Sequence, residues 1–463
     1  MKKITGLIVM LSMLLMSTGC GDNASEKEPG TGKETAETTA AAEETDSSSE
    51  AETTVQTEPE EKTTTTESTT KESTTVPSNP ENEVTLLDMD KQIRHESVSS
   101  IEYAKTLTEM NCATASLGEN AAKQYPDLAS AINNISDFYE VNLLEQNDIY
   151  AGAAEEALSS GEENFETYIF DLNVQIRRAD SVAVSILHDS YEYYGIDAER
   201  KSFWGENFNT ETGETIYLPD VVTDIDQLAE AVEAELYHAF TPDVFYSDTA
   251  IADYFKDYGA DSSNWTLEYN GVTIYFDDGN IADSGVGDIS VTIGFEKYPD
   301  LFKEKYTNVP EAYIVGLPMK SAFYTDLDGD GSSDALTIAD SYEGDSGMDR
   351  TLSLRISTPE TDYTEKLPAN GCEAYYVKTA DDRHYLYVFA ELEAQTELYT
   401  FRITAADITK VGKQSIAPHY SNETMSVLTD PDHMHFDIFG NADVEPVGDD
   451  FFTVGADGMP VMK

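Results

Sequence analysis

Apolar and polar positions alternate along this chain in four different rhythms. Ile4 to Met16 is a mainly apolar run with Lys2 and Lys3 before it and Ser17-Thr18-Gly19-Cys20 after it, the order of a secretory signal. Positions 21–85 contain almost nothing large and apolar, so the pattern predicts no core there. From Val98 to Leu158 the texture is helical or mixed. Tyr125-Pro126-Asp127-Leu128 reads as a helix start, and Leu128, Ile132 and Ile135 then recur at helical spacing as far as about Leu144. A second short helix is expected over Ala151 to Leu158. Strand alternation follows in 165–176 and 181–187. Residues 202–222 read as strand, tight turn at Thr210 to Gly213, then strand. Thr223 or Asp224 can cap a helix whose apolar stripe is Ile225, Leu228, Val232, Leu236 and Ala239. Trp265 to Phe276 is a hairpin with Asn270-Gly271 at its turn, and a strand follows at 289–295. Beyond Leu317 short strand-like runs at 321–324, 335–338, 351–356, 374–378, 385–390 and 397–403 alternate with Gly, Asp and Ser turns, the spacing of an all-β unit. The expected fold class is α+β: a mixed helix and antiparallel-sheet region at 86–315, then an all-β domain at 316–463, on a disordered stalk at 21–85.

Two stretches resemble known families. Ser17-Thr18-Gly19-Cys20 looks like the lipobox of bacterial lipoproteins, although Ser17 stands where an aliphatic residue is commoner. That resemblance implies cleavage between Gly19 and Cys20, acylation of Cys20 as the new N-terminus, and a protein tethered by lipid to the extracellular side of the cell membrane. An ordinary signal peptide or an uncleaved anchor is the alternative. Asn207-Phe-Asn-Thr-Glu-Thr-Gly-Glu-Thr-Ile-Tyr-Leu-Pro-Asp220 resembles the hairpin of the RsiV-like C-terminal domain family, with Asn207, Phe208, Thr212, Gly213, Leu218 and Asp220 carrying the match. The helix, hairpin and closing strand that follow resemble the rest of that domain, and together the likeness covers about residues 95 to 305. The family occurs in extracellular parts of lysozyme-sensing anti-sigma factors, in some peptidoglycan deacetylases and in surface lipoproteins. Asp278-Gly-Asn-Ile-Ala-Asp-Ser-Gly285 lacks the tyrosines that the family has in that loop.

Charge then narrows the partners. The chain has 89 acidic and 28 basic residues, a net −61. Setting aside the 17 acidic and six basic residues of positions 1–85 leaves 72 against 22, so the remainder alone carries −50. Such a surface argues against nucleic acid and against direct binding to anionic lipid. It suits basic partners and divalent cations, or serves solubility alone. Outside the cell Cys112 and Cys372 could pair in a disulfide, but two isolated cysteines have no diagnostic spacing.

The sharpest chemical signal is Asp326-Leu-Asp328-Gly-Asp330-Gly-Ser332-Ser-Asp334. Carboxylates at alternate positions with glycine after the third can wrap one hard cation, with a backbone carbonyl from Ser332. Loop position 12, where an EF-hand needs Glu, is Thr337, and both flanks read as strands. The pattern therefore predicts a structural Ca2+ loop between strands, against a plain acidic turn. His433-Met-His435 offers two imidazoles near Asp430, Asp432 and Asp437, too few for a defined zinc site. Gly344-Asp-Ser-Gly347 lacks the flanking residues of a serine-protease turn. Without a compact catalytic constellation, an enzyme is disfavoured. The expected function is a lipid-anchored extracellular binding protein for a cationic, lysozyme-like or other wall-associated protein. The alternative is a module that binds a cell-wall polymer, or a wall-acting hydrolase or accessory module. Only three residues precede the apolar run, so direct signalling across the membrane is not expected.

Overall fold

The computed structural model describes residues 84–161, 165–195, 199–259, 262, 264–317, 322–329, 333–342, 349–357, 360–369, 371–392, 396–416, 424–435 and 451–463. Two long strands open it, β1 (Met89–Ser100) and β2 (Lys105–Leu117), paired as an antiparallel hairpin. The helical or mixed texture expected from Val98 is thus partly wrong. Strand β1, Met-Asp-Lys-Gln-Ile-Arg-His-Glu-Ser-Val-Ser-Ser, is polar on both faces and gives no period-2 signal, so cross-strand pairing decides its state.

Two helices follow, α1 (Glu119–Gln124) and α2 (Pro126–Ser159). Helix α2 is one unbroken element of 34 residues, where two shorter ones were expected. At 1.5 Å per residue it runs about 50 Å. Pro126 opens its first turn, and Leu128, Ile132, Ala151, Ala154 and Leu158 are its buried apolar positions. The chain then enters β3 (Tyr168–Ala179), β4 (Ala183–Tyr193) and β5 (Glu199–Asn209). Strand β3 lies parallel to β2, the crossover being made by the helices, and β3, β4 and β5 are successively antiparallel.

After the turn at residue 213 the expected second strand reduces to a single bridge from Thr215 to Phe208, and Leu218–Val221 forms a short helix, α3. Pro219 has no N–H to give a strand ladder but fits a first helical turn. Helix α4 (Ile225–Ala239) begins where the sequence places it: the Asp224 carboxylate accepts from the N–H groups of Asp226 and Gln227 at 2.9 and 3.1 Å. With α5 (Ala250–Tyr258) it shares an apolar core with the three-stranded sheet β6 (Trp265–Leu267), β7 (Gly271–Phe276) and β8 (Ile289–Gly294). The Asn270-Gly271 hairpin is present as expected.

The remaining strands build a sandwich. After the short helix α6 (Glu304–Thr307), strand β9 (Tyr313–Leu317) leads to β10 (Ala322–Thr325), β11 (Asp334–Tyr342), β12 (Asp349–Ser357) and β13 (Glu360–Pro368). Then come β14 (Gly371–Lys378), β15 (His384–Glu391), β16 (Thr396–Thr404) and β17 (Asp407–Ile416). Sheet β10-β11-β12-β13 faces sheet β17-β16-β15-β14-β9, and Phe323, Leu336, Leu354, Tyr376, Leu386 and Phe401 belong to the core between them.

The regions expected at 86–315 and 316–463 are interlocked. Strand β18 (Thr424–Val427) leaves the sandwich and pairs antiparallel with Met89 to Gln92 of β1. This completes a six-stranded sheet of order β18-β1-β2-β3-β4-β5. A last hairpin, β19 (Phe452–Val454) with β20 (Pro460–Met462), brings Phe452 to the outer face of the five-stranded sheet. Among the described residues no helix is long and apolar enough to cross a membrane.

Candidate functional site

The six-stranded sheet has two unlike faces. Phe170, Leu172, Val174 and Ile176 of β3 point to the apolar layer under α2. Their alternates Asp171, Asn173 and Gln175 point the other way, where a half-buried strand would normally meet water or a second core. A bulge between Ile176 and Arg178 then brings two successive arginines into the interior. Arg177, 2% exposed, donates to Glu268 Oε1 at 3.1 and 2.8 Å and to the Gly316 carbonyl. Arg178, fully buried, pairs with Asp180 at 2.8 Å and donates to the carbonyls of Glu268, Tyr306 and Asn308. These two side chains tie the six-stranded sheet to the β6–β7 turn, to α6 and to β9. Gly205 makes a second close junction, since a Cβ there would lie 1.8 Å from the Trp265 carbonyl oxygen.

Beside the arginines the polar face carries a ladder of carboxyl and amide groups. His95 Nδ1 bonds Asn111 Oδ1 at 2.9 Å, and Asn111 Nδ2 donates to Asp171 Oδ1 at 2.8 Å. Asp189 sits opposite Asn173 on β4, and Asp288 and Asp277 follow along the β7–β8 side. Burial first, and the Asp288 charge next, push the Asp189 carboxyl up to about 6. Burial likewise lifts Asp277 to about 6 and raises Asp171 and Asp288. Neighbouring like charges add to each of these shifts.

A cavity of about 220 Å³ opens at the end of this ladder, between β1, β3 and β4 on one side and β9, β14, β15 and β18 on the other. Lys91, only 6% exposed, projects from β1 to Asn173 Oδ1 and Glu373 Oε1, each at 3.0 Å. Gln175, Asp189, Cys372 and Glu391 also line it. None of this site was among the residues the sequence singled out except Cys372. The alternation Asp171-Asn173-Gln175 on an otherwise apolar strand was the available signal.

On the opposite face a second polar group is buried under α2. His188 stacks on Trp204 with ring centres 5.2 Å apart and planes 9° apart, and Tyr139 lies against it at 4.7 Å. Neither ring nitrogen has a partner, and burial pulls the imidazole down to about 3, so it is neutral. Trp204 Nε1 donates to Tyr139 Oη at 2.7 Å, and Tyr139 donates to Glu206 at 3.0 Å, a carboxyl that burial lifts to about 7. Trp265 is 2% exposed inside the α4 core.

The other residues chosen from sequence fall as follows. Asp326, Asp328 and Asp334 place carboxylate oxygens within 4.8 Å of one another in the loop from β10 to β11, whose ends Thr325 and Asp334 pair directly. Asp326 accepts from the N–H groups of Asp328 and Gly329, and Asp334 from that of Leu327. The flanks are strands, as expected; Asp330 and Ser332 lie outside the described residues. Cys20 and Gly344 to Gly347 also lie outside them. Cys112 and Cys372 are not joined. Cys112 is buried in the layer under α2, whereas Cys372 packs against the core of the sandwich, so the possible pairing of the two is not made. His433 bonds Asp430 Oδ2 at 3.1 Å and stacks on Phe451, and His435 is exposed; neither belongs to a three-ligand group among the described residues.

The hairpin-motif residues are architectural. Asn207 accepts from Ser185 Oγ and Leu267 N–H and donates to the Trp265 carbonyl, joining β5 to β6. Phe208 and Leu218 are core, Thr212 Oγ1 accepts from the Glu214 N–H, and the Asp220 carboxylate caps α3 through the Tyr217 N–H. Gly213 has φ +65°, and a Cβ there would lie 2.6 Å from the Asp127 carbonyl, so only glycine lets this turn seat on the start of α2.

No family model matches the chain, and no curated protein matches it. Two crystal structures are similar to about half of it. One is a member of the DUF3298 family from Bacteroides fragilis NCTC 9343, 13% identical with a TM-score of 0.36 over 47% of this chain and 94% of that one. The other is a DUF3298 family protein from Pseudomonas aeruginosa PAO1, 16% identical with a TM-score of 0.32 over 48% of this chain and 98% of that one.

Proposed function

We propose that the chain is a lipid-anchored extracellular binding protein that captures a cationic protein on the polar face of its six-stranded sheet. The observation that carries this reading is the run of half-buried carboxyls Asp171, Asp189, Asp288 and Asp277 on that face. Gathering like charges in a partly desolvated site is unfavourable for the protein alone and is offset when a cation arrives. The net −50 of residues 86–463 speeds such an encounter from a distance. The RsiV-like resemblance supplies the partner class: a lysozyme-like protein acting on the wall. Acylation of Cys20 holds the protein on the extracellular side of the membrane, and a structural Ca2+ ion on Asp326, Asp328 and Asp334, completed by Asp330 and Ser332, stiffens the sandwich. Nucleic acid has no place in this reading.

Calorimetry with lysozyme at low and at high salt tests it. Binding should be measurable at low salt and weaken steeply with added salt, and Asp171→Asn with Asp288→Asn should reduce it. Absence of binding at low salt, or binding indifferent to both substitutions, refutes the proposal.

A further inference from the structure

We propose that the cavity between β1, β3, β4 and β14 is a receptor for a primary ammonium or guanidinium group carried on an alkyl stem. This rests on, and sharpens, the cationic-partner reading above: the group would come from a lysine or arginine side chain of that partner, or from a free small amine.

Four observations converge on this ligand chemistry. The polar lining is dominated by acceptors, with Asp189, Glu373 and Glu391 against a single ammonium, that of Lys91. Lys91 is already engaged: two of its three donors are spent on Asn173 and Glu373, each at 3.0 Å. It therefore organises the carboxylates and is not presented to an incoming anion. Gln175 is 7% exposed, lines the cavity, and leaves its Oε1 without any hydrogen-bond partner. An orphaned buried acceptor is costly, and a half-turn of the amide toward a donor in the cavity removes that cost. Finally, Ile93, Met425 and Val427 supply apolar walls for a stem. An ammonium there would meet Asp189 and the Gln175 carbonyl, with the stem leaving between the apolar side chains.

The test titrates the full chain with n-butylammonium, the side-chain analogue of lysine, and with n-butyrate as its anionic counterpart. Expected is saturable millimolar binding of the amine and none of the acid. Gln175→Leu and Asp189→Asn should each weaken the amine about tenfold or more. Glu391→Gln, at an exposed rim position, carries a smaller loss and serves if the interior variants lower the melting temperature. Butyrate binding in place of the amine, no amine binding by the unaltered chain, or affinities unchanged in folded variants overturns the inference. A lysozyme arm separates the two readings. Lysozyme that binds equally well to both interior variants and is not displaced by the amine sinks the cavity while sparing the binding protein. Amine binding that depends on Gln175 and Asp189, with no lysozyme binding at low salt, does the reverse.

Discussion

Replacing Arg177 by Met removes the cation from a buried pair and leaves its partner in place. The guanidinium is 2% exposed and Glu268 is 1% exposed, and they share two hydrogen bonds of 3.1 and 2.8 Å. A third donor reaches the Gly316 carbonyl, which would lose it too. Glu268 already has one carboxylate oxygen without a hydrogen-bond partner, so after the substitution neutral hydroxyls such as those of Thr266 and Thr273 would be left to hold the charge. Breaking a buried pair from one side costs about 3–5 kcal/mol, a large share of the roughly 5–15 kcal/mol that a domain has to lose. With a urea dependence of about 3 kcal/mol per molar, the unfolding midpoint should fall by about 1 M or more. Trp265 fluorescence reports it, because its carbonyl accepts from Asn207 within the same junction. The double variant Arg177→Met with Glu268→Met should recover at least half of the loss, since both threonines keep a hydroxyl partner, Thr266 with Tyr275 and Thr273 with Thr292. A single-variant cost under about 1 kcal/mol, or a double variant no better than the single, refutes the reasoning.

Three further outcomes follow from the geometry. In the native chain a disulfide reagent should modify Cys372, half-buried near the start of β14, and spare Cys112, whose thiol burial pushes up to about 12; peptide mapping before and after denaturation checks it. Glu206 titrates near 7 in the fold against an ordinary carboxyl value unfolded, so its contribution is present below about 4 and is lost as pH rises through 7. Neutral His188 works in the opposite sense, losing stability as pH falls from about 6.5 toward 3, which leaves the interval from 6.5 to 8 to Glu206. The melting temperature of Glu206→Gln relative to the unaltered chain should therefore rise between pH 6 and 8; a constant difference contradicts the assignment. Calcium at about ten times its dissociation constant should stabilise the chain by about 1.4 kcal/mol, and Asp328→Ala should abolish that gain in a melt with and without chelator.

Local chemistry was legible in the sequence and long-range chemistry was not. The Asp224 cap, the Asn270-Gly271 turn and most sandwich strands follow from residues within a few positions of one another, and they stand where expected. The buried role of Arg177 was not legible, because its partners Glu268 and Gly316 lie 91 and 139 positions away. Strand β1 was missed for the same reason: its polar sequence becomes strand through pairing with β2 and β18. The aspartate loop was readable because its carboxylates fall within one stretch of nine residues. The cavity was not, because it exists only where β3, β14 and β18 converge.

The pairing of β18 with β1 also fixes an order of events. As the chain is delivered N-terminus first, residues 89–209 can form five strands of their sheet, yet the outer edge of β1 stays unpaired until residues 424–427 arrive. Until then the molecule exposes an open strand edge, the kind that recruits foreign strands. Truncations short of residue 427 should accordingly aggregate, whatever the stability of the helices and strands already made.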